Sequence, residues 1–306
     1  MAVLRPLICW ILTLWMLAPA SATATTRNAP ARVAVLSAFE PELQRLLAAT
    51  RQPVQQRING ITFTLGELEG QPVVLALSGI SMVNAAMTTQ LLLDRFTVSH
   101  IVFSGIAGGV NPALRIGDVT VPQQWASYLE ALFARETTPG AYQAPRWMTD
   151  VHLPNFGMIH PRPVGVRRQS QTQEESRFWF EADAAMLAVA RRIKPGTLVR
   201  CTATQACLSR QPQLVIGGNG VSGQAFVDNA AFRDYTFRTF AANVLDMETA
   251  AVAQVAWANA VPFIAFRSLS DLAGGGEGEN EIQTFMQIAA DNSAQVVQAF
   301  LRAWKP

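Results

Sequence analysis

Three apolar runs of the sequence end in acids that packing alone would not choose. Glu40 and Glu42 follow RVAVLSA (32–38), Asp246 and Glu248 interrupt VLDMETAAVAQ (244–254), and Ser270 and Asp271 close VPFIAFRSLSD ahead of a glycine loop. Carboxylates so placed can donate a proton, activate a water, or accept hydrogen bonds from hydroxyls, depending on how their surroundings move their pKa. Each also suits a plainer role. Glu42 fits a first-turn helix acid that complements the macrodipole, and Asp271 fits a turn. We read Asp246 as an N-cap, because it directly precedes a helical run. Glu248 is harder to explain by packing, since it stands beside Met247 where strand passes into helix.

Other chemistries find little footing. SGIAGG (104–109) is not G-x-G-x-x-G, and no G-x-x-x-x-G-K-[ST] occurs, so neither a dinucleotide nor a P-loop site is expected. His100, His152 and His160 lack metal-ligand spacing and no H-E-x-x-H exists, so no metal or cofactor is expected. A Ser-His-Asp triad lacks its G-x-S-x-G elbow. The net charge is only +2, and RRQSQTQEESR is a mixed polar loop, which argues against nucleic acid as a partner. Carboxylate chemistry in a glycine-lined pocket remains.

The elements that must position these acids follow from the hydrophobic pattern. RVAVLSA, HIVFSGIAGG, QLVIGGNGVSG and VPFIAFRSLSD read as buried strands, and ITFTLGELEG and QPVVLALSG as two strands joined by a Glu-Gly turn. FEPELQRLLAAT, SMVNAAMTTQLLLDRF, DAAMLAVARRI and the closing EIQTFMQIAADNSAQVVQAFLRAW read as helices. Apolar runs alternating with helices imply one α/β domain, with a mixed, largely parallel sheet flanked by helices on both faces. In such sheets ligands bind beyond the carboxyl ends of the strands, where the acids lie. The irregular 125–180 segment is rich in aromatics and proline, unlike a disordered linker, and reads as a packed insertion or a lid.

Residues 1–24 have the form of a cleaved secretory signal: Arg5, an apolar run closed by Pro19, then small residues in ASATA. The apolar run is shorter than the ~20 residues of a membrane span, so stable membrane insertion is not expected. The chain from 25 to 306 would then be secreted or periplasmic, and Cys201 and Cys207 would close the CTATQAC loop as a disulfide.

VAVLSAFEPEL, LSGISMVNAA, FSGIAGGVNPALRIGDV, GVSGQAFVDN, VLDMETAAVA and VPFIAFRSLSDLA run in this order through nearly all of 25–306. M-E-[TAS]-A-A beside a strand, followed by R-x-[IL]-S-D, is a specific pairing. In these motifs the sequence resembles the nucleoside phosphorylase/nucleosidase superfamily, and within it the 5′-methylthioadenosine/S-adenosylhomocysteine nucleosidases. GNGVSGQAFVDNAA and FRSLSDLAGGG are also similar to exported plant bark storage proteins of that superfamily.

The resemblance implies a nucleoside phosphorylase-like fold and a purine nucleosidase that releases adenine from methylthioadenosine, S-adenosylhomocysteine or a related adenosine. It implies Asp271 as general acid toward purine N7, oriented by Ser270, and Glu42 as the group that activates water. Glu248 would accept the ribose hydroxyls and Met247 would pack on the sugar. Phe226 would stack on the base, with the backbone at Val227 reading its edge, and Ile106 and Gly108 would form the glycine corner. A homodimer is also implied. The chain departs from the family pattern at Ile106, where Ser or Thr is usual, and at Gln224, where Asp is frequent. No G-D-P-x-R-like phosphate-binding stretch occurs. Two other readings stay open: a phosphate-dependent purine nucleoside phosphorylase, and a non-catalytic nucleoside-binding or storage-like protein.

Overall fold

A computed structural model describes residues 30–305, so the signal segment 1–24 lies outside the described residues. The chain runs β1 (Arg32–Ser37), α1 (Glu40–Ala49), β2 (Arg51–Ile58), β3 (Ile61–Leu68), β4 (Gln71–Leu77), α2 (Met82–Arg95) and β5 (Val98–Gly109). β6 (Val119–Val121) and β7 (Gln124–Ser127) follow. Next come six short strands: β8 (Ala131–Phe133), β9 (Arg135–Thr138), β10 (Ala141–Gln143), β11 (Ile159–Pro161), β12 (Val164–Val166) and β13 (Glu175–Arg177). The rest is β14 (Phe180–Glu181), α3 (Ala184–Ala190), β15 (Leu214–Ile216), β16 (Asn219–Ser222), α4 (Ala230–Phe240), β17 (Ala242–Asp246), α5 (Thr249–Ala258), β18 (Phe263–Asp271) and α6 (Ile282–Ala303).

One mixed sheet organises the molecule, in the order β14-β7-β16-β17-β5-β1-β4-β3-β2, with β18 joining β5 to β6 and β15 beyond β6. Its centre is parallel: β1 lies between β4 and β5, and β18 runs along β5. The β2-β3-β4 meander, the β17–β5 contact and the β18–β6 contact are antiparallel. Every residue of β18 is buried, which explains why FIAFRSLSD shows no polar alternation: both of its faces are covered. Two apolar layers lie against the sheet. One gathers Leu43, Leu46, Phe266, Val297 and Phe300 under α1 and α6, the other Phe103, Ala250, Val252 and Ala253 under α5.

β5 makes the site possible. β18 follows it from Ile101 to Gly108, so its other side is shared by β1, up to Phe103, and by β17, from Gly108. Between those partners the sheet splits, and side chains serve β5 instead of a strand. Ser293 of α6 accepts from Gly105 N–H at 3.1 Å, and Glu42 accepts from Ile106 N–H at 2.7 Å. This is a switch point where a parallel sheet opens a crevice at its strand ends.

Three elements escaped the hydrophobic pattern. β2, RQPVQQRI, is an edge strand exposed along almost its whole length, so it has no apolar face to betray it, and Pro53 is tolerated there. QLVIGGNGVSG is two strands, β15 and β16, separated where Gly217 and Gly218 take positive φ. α4 begins after Asn229, whose side chain accepts from Phe232 N–H at 2.9 Å. The 125–180 stretch forms β7, β14 and small antiparallel pairs, and packs on α4 through Phe156 against Phe232 and Tyr235, and Phe178 against Phe240. Cys201 and Cys207 are joined by a disulfide, the pairing expected of two neighbouring cysteines in an exported chain. Among the described residues no helix is long and apolar enough to cross a membrane.

Candidate active site

The acids converge at the split in the sheet. Glu42 sits in the first turn of α1 but turns back, so that Oε2 accepts from Ala38 N–H at 2.7 Å and Phe39 N–H at 3.3 Å. Its other oxygen takes the Ile106 N–H of β5, and Arg267 Nη1 stands 3.5 Å away. The macrodipole role therefore accounts for only part of it, because Glu42 also ties α1 to the open edge of β5. Burial pushes its carboxyl above the ordinary carboxylate range, against the pull of Arg267 and three backbone N–H groups.

Glu248 lies between β17 and α5. Its Oε1 accepts from Ser81 N–H at 2.8 Å, and Oε2 is 3.4 Å from Arg267 Nη2. Ser81 holds φ +83°, a conformation that costs an L residue energy, and it turns its N–H toward Glu248 at the start of α2. Burial pushes Glu248 up to about 7, opposed by Arg267 and assisted by Asp246 and Glu42. Asp246 corrects our N-cap reading. It is the last residue of β17, and the N-cap position belongs to Glu248. Asp246 does accept from Glu248 N–H at 3.2 Å and Thr249 N–H at 3.1 Å, but it also pairs with Arg267 Nε at 2.8 Å and takes the Ser222 hydroxyl.

Arg267 is thus the hub, a fully buried guanidinium facing Glu42, Asp246 and Glu248. It also donates to Ile106 C=O at 3.1 Å and lies 4.3 Å over the Phe103 ring. Gly105 makes room for it: a Cβ there would overlap Nη1 of Arg267 and Oε1 of Glu42. The sequence reading left Arg267 without a role. The signal was its place inside an otherwise apolar run, since a charge buried on both faces of a sheet must be paired.

Asp271 ends β18 opposite these acids. Oδ2 is 2.8 Å from Ser270 Oγ, while Oδ1 accepts from Ala273 N–H at 2.8 Å and from Asn280 Nδ2 at 3.4 Å. Burial raises its pKa, against those hydrogen bonds. Asn280, on the loop before α6, was not foreseen.

Glu42, Ile106, Gly108, Phe226, Val227, Met247, Glu248, Ser270 and Asp271 all line one cleft of about 260 Å³. Phe39, Ile80, Ile282 and Met286 add apolar wall that the motifs did not point to. No residue of 125–180 lines it. Phe226, one of the lining residues, is 57% exposed and so stands at the rim. Buried acids with raised pKa on both sides of an apolar slot suit proton transfer to and from a small molecule.

Fold and cleft together describe an α/β protein with a cleft lined by buried carboxylates. The chain belongs to the phosphorylase superfamily, whose family profile matches residues 32–302. It is 29% identical over 279 residues to the 5′-methylthioadenosine/S-adenosylhomocysteine nucleosidase of Bacillus thuringiensis (strain Al Hakam), covering 90% of this chain and 100% of that one. A solved nucleosidase of the same description from Colwellia psychrerythraea 34H, in complex with adenine, superposes with a TM-score of 0.65 at 25% identity, over 90% of this chain and 96% of that one. The futalosine hydrolase of Helicobacter pylori strain 26695 shares the fold, with a TM-score of 0.64 at 21% identity over 89% and 97% of the two chains.

Proposed function

We propose that this chain is an exported purine nucleosidase that hydrolyses the N-ribosidic bond of methylthioadenosine, S-adenosylhomocysteine or a related adenosine and releases adenine. The observation that supports it most is the convergence of Glu42, Glu248 and Asp271, far apart in sequence, on one cleft with an exposed aromatic ring at its rim. The likeness to nucleosidases over nine-tenths of the chain points the same way.

Breaking C1′–N9 leaves the electron pair on the purine and positive charge on the ribose. Asp271, whose pKa burial raises, gives its proton to N7 and so neutralises the leaving base. Glu42 takes a proton from the water whose oxygen bonds to C1′. Its desolvated carboxylate is a stronger base than one in water. Glu248 accepts hydrogen bonds from the ribose hydroxyls, Met247 packs on the sugar, Phe226 stacks on the purine, and Ile106 and Gly108 form the corner beneath the reacting bond. Ser270 orients Asp271 through their 2.8 Å contact. Phe39, Ile106, Ile282 and Met286 offer an apolar place for a thioether substituent.

Water is favoured over phosphate by charge. No residue lining the cleft is Lys or Arg, and Arg267 behind it is engaged by three carboxylates. A phosphate dianion would find no unpaired cation in the cleft wall. A homodimer belongs to the same proposal; the exposed Ile80, just before α2, and Val83 and Met87 within it are its candidate surface. The test is base release from methylthioadenosine, S-adenosylhomocysteine, adenosine and inosine by the mature protein. Adenine from the thioether nucleosides supports the reading; adenine binding without release from any of them replaces it with the storage-like alternative.

A further inference from the structure

Asn280 stands on the glycine-rich loop between β18 and α6, outside every motif that marked the site. Its carboxamide meets three partners. Nδ2 reaches Asp228 Oδ1 at 3.0 Å and Asp271 Oδ1 at 3.4 Å, while Oδ1 accepts from Ile282 N–H at 3.0 Å. The Ile282 contact settles which way the amide faces, because a backbone N–H requires the oxygen, which leaves the amine for the two acids. The loop is held against the base-side segment independently. Asn229 N–H donates to Ala273 C=O at 3.1 Å, and Gly274, at φ +85°, lies so close that a Cβ would overlap the Asn229 backbone. Asp228 directly follows Phe226 and Val227, the residues at the rim of the cleft.

We infer that Asn280 is a positioning residue for Asp271, fixing Oδ1 as the oxygen that stays unprotonated and tying the acid to the loop that carries Phe226 and Val227. The inference rests on Asp271 acting as the general acid. Oδ1 already takes two N–H donors, from Ala273 and Asn280, so a proton there would face them head on. The transferable proton therefore sits on Oδ2. Ser270 Oγ, 2.8 Å from that oxygen, has a second acceptor in Ala107 C=O at 3.4 Å, so its hydroxyl can turn away. As the Oδ2–H bond breaks and the N7–H bond forms, negative charge spreads to Oδ1, where both donors strengthen. The same link connects a base seated on Phe226 to the aim of the acid.

The deciding measurement is the titration of the Asp271 carboxyl by carbon-13 NMR, assigned by its loss in Asp271→Asn, for the wild type, Asn280→Ala and Asn280→Asp. Of the other charges, Glu281 acts on this carboxyl directly and Asp228 is joined to it through Asn280; Glu42, Asp246 and Glu248 line the same cleft and pair with Arg267, and Arg233 donates to Gly109 C=O. All of them remain in the variants. Removing a donor from the carboxylate raises its midpoint, by about half a unit for Asn280→Ala. Asn280→Asp, which sets a third acid against the two, raises it further, and it keeps the test open should the alanine variant fold poorly. With substrate, the alkaline limb of kcat/KM moves up by the same amount. An unchanged or lowered midpoint in folded variants overturns the inference, as does lost turnover without any movement of the limb. Turnover retained by Asp271→Asn instead overturns the acid role itself, while the titration still decides what Asn280 does to the carboxyl.

Discussion

Replacing Arg267 with methionine, which keeps length and removes charge, would leave Glu42, Asp246 and Glu248 facing one another without a cation. The three are 1%, 6% and 4% exposed, so water cannot take the guanidinium's place. Removing one partner of a buried ion pair costs about 3–5 kcal/mol, a large share of the ~5–15 kcal/mol that holds a domain folded. The loss must depend on pH in a particular direction. Burial already raises Glu42 and Glu248 above 4.5, Glu248 to about 7, with Arg267 opposing the rise. Without Arg267 both rise further. A carboxyl whose folded pKa exceeds its unfolded value binds more protons when native, so stability falls as pH increases from the unfolded value through the folded one. Even in the wild type, moving Glu248 from 4.5 to about 7 corresponds to roughly 3 kcal/mol disfavouring the folded state above pH 7, at 1.36 kcal/mol per unit. Urea unfolding of Arg267→Met at pH 5 and pH 8 reads the effect: we expect a deficit of about 3–5 kcal/mol at pH 8 and less than half of it at pH 5. A variant as stable as the wild type at pH 8, or equally weakened at both pH values, would refute the hub.

Three further outcomes follow from the same geometry. Asp271→Asn should keep the unfolding free energy within about 1 kcal/mol of wild type and lower kcat by about 10²–10⁴-fold, since an amide has no proton to give; retained turnover in a folded protein sinks the acid role. Glu248→Gln should reduce kcat/KM for ribosides more than it affects adenine binding, measured by steady-state kinetics beside calorimetry, because the lost contact is to the sugar. Reducing the Cys201–Cys207 bridge, which closes a loop with a sequence separation of 6, should cost about 2 kcal/mol of stability and leave KM unchanged, because the loop lies outside the cleft; thermal unfolding with and without reductant checks it.

The elements most readily found in the sequence were those buried on both faces or amphipathic, such as β5, β18, α2 and α6, where apolar runs and helical spacing leave a clear pattern. β2 was hidden because an exposed edge strand buries nothing, and α4 because its capping Asn229 lies within a stretch read for chemistry. The site residues named from motifs all reached one cleft, since motif residues are those whose type is dictated by local chemistry. Arg267 was passed over as background, though its charge inside FIAFRSLSD called for partners. Asp246 was underestimated because a cap and an ion-pair partner look alike in one dimension. Asn280 left no trace at all: its contacts, to Asp271 and Asp228, depend on how a glycine loop folds back.

The central claim is that water attacks the sugar while Asp271 protonates the base. Its most direct test is turnover of methylthioadenosine by the mature protein in phosphate-free buffer and again with phosphate, with the sugar product identified by mass. The account predicts adenine and free methylthioribose at equal rates in both buffers. Release only with phosphate, and a sugar 1-phosphate as product, would contradict it.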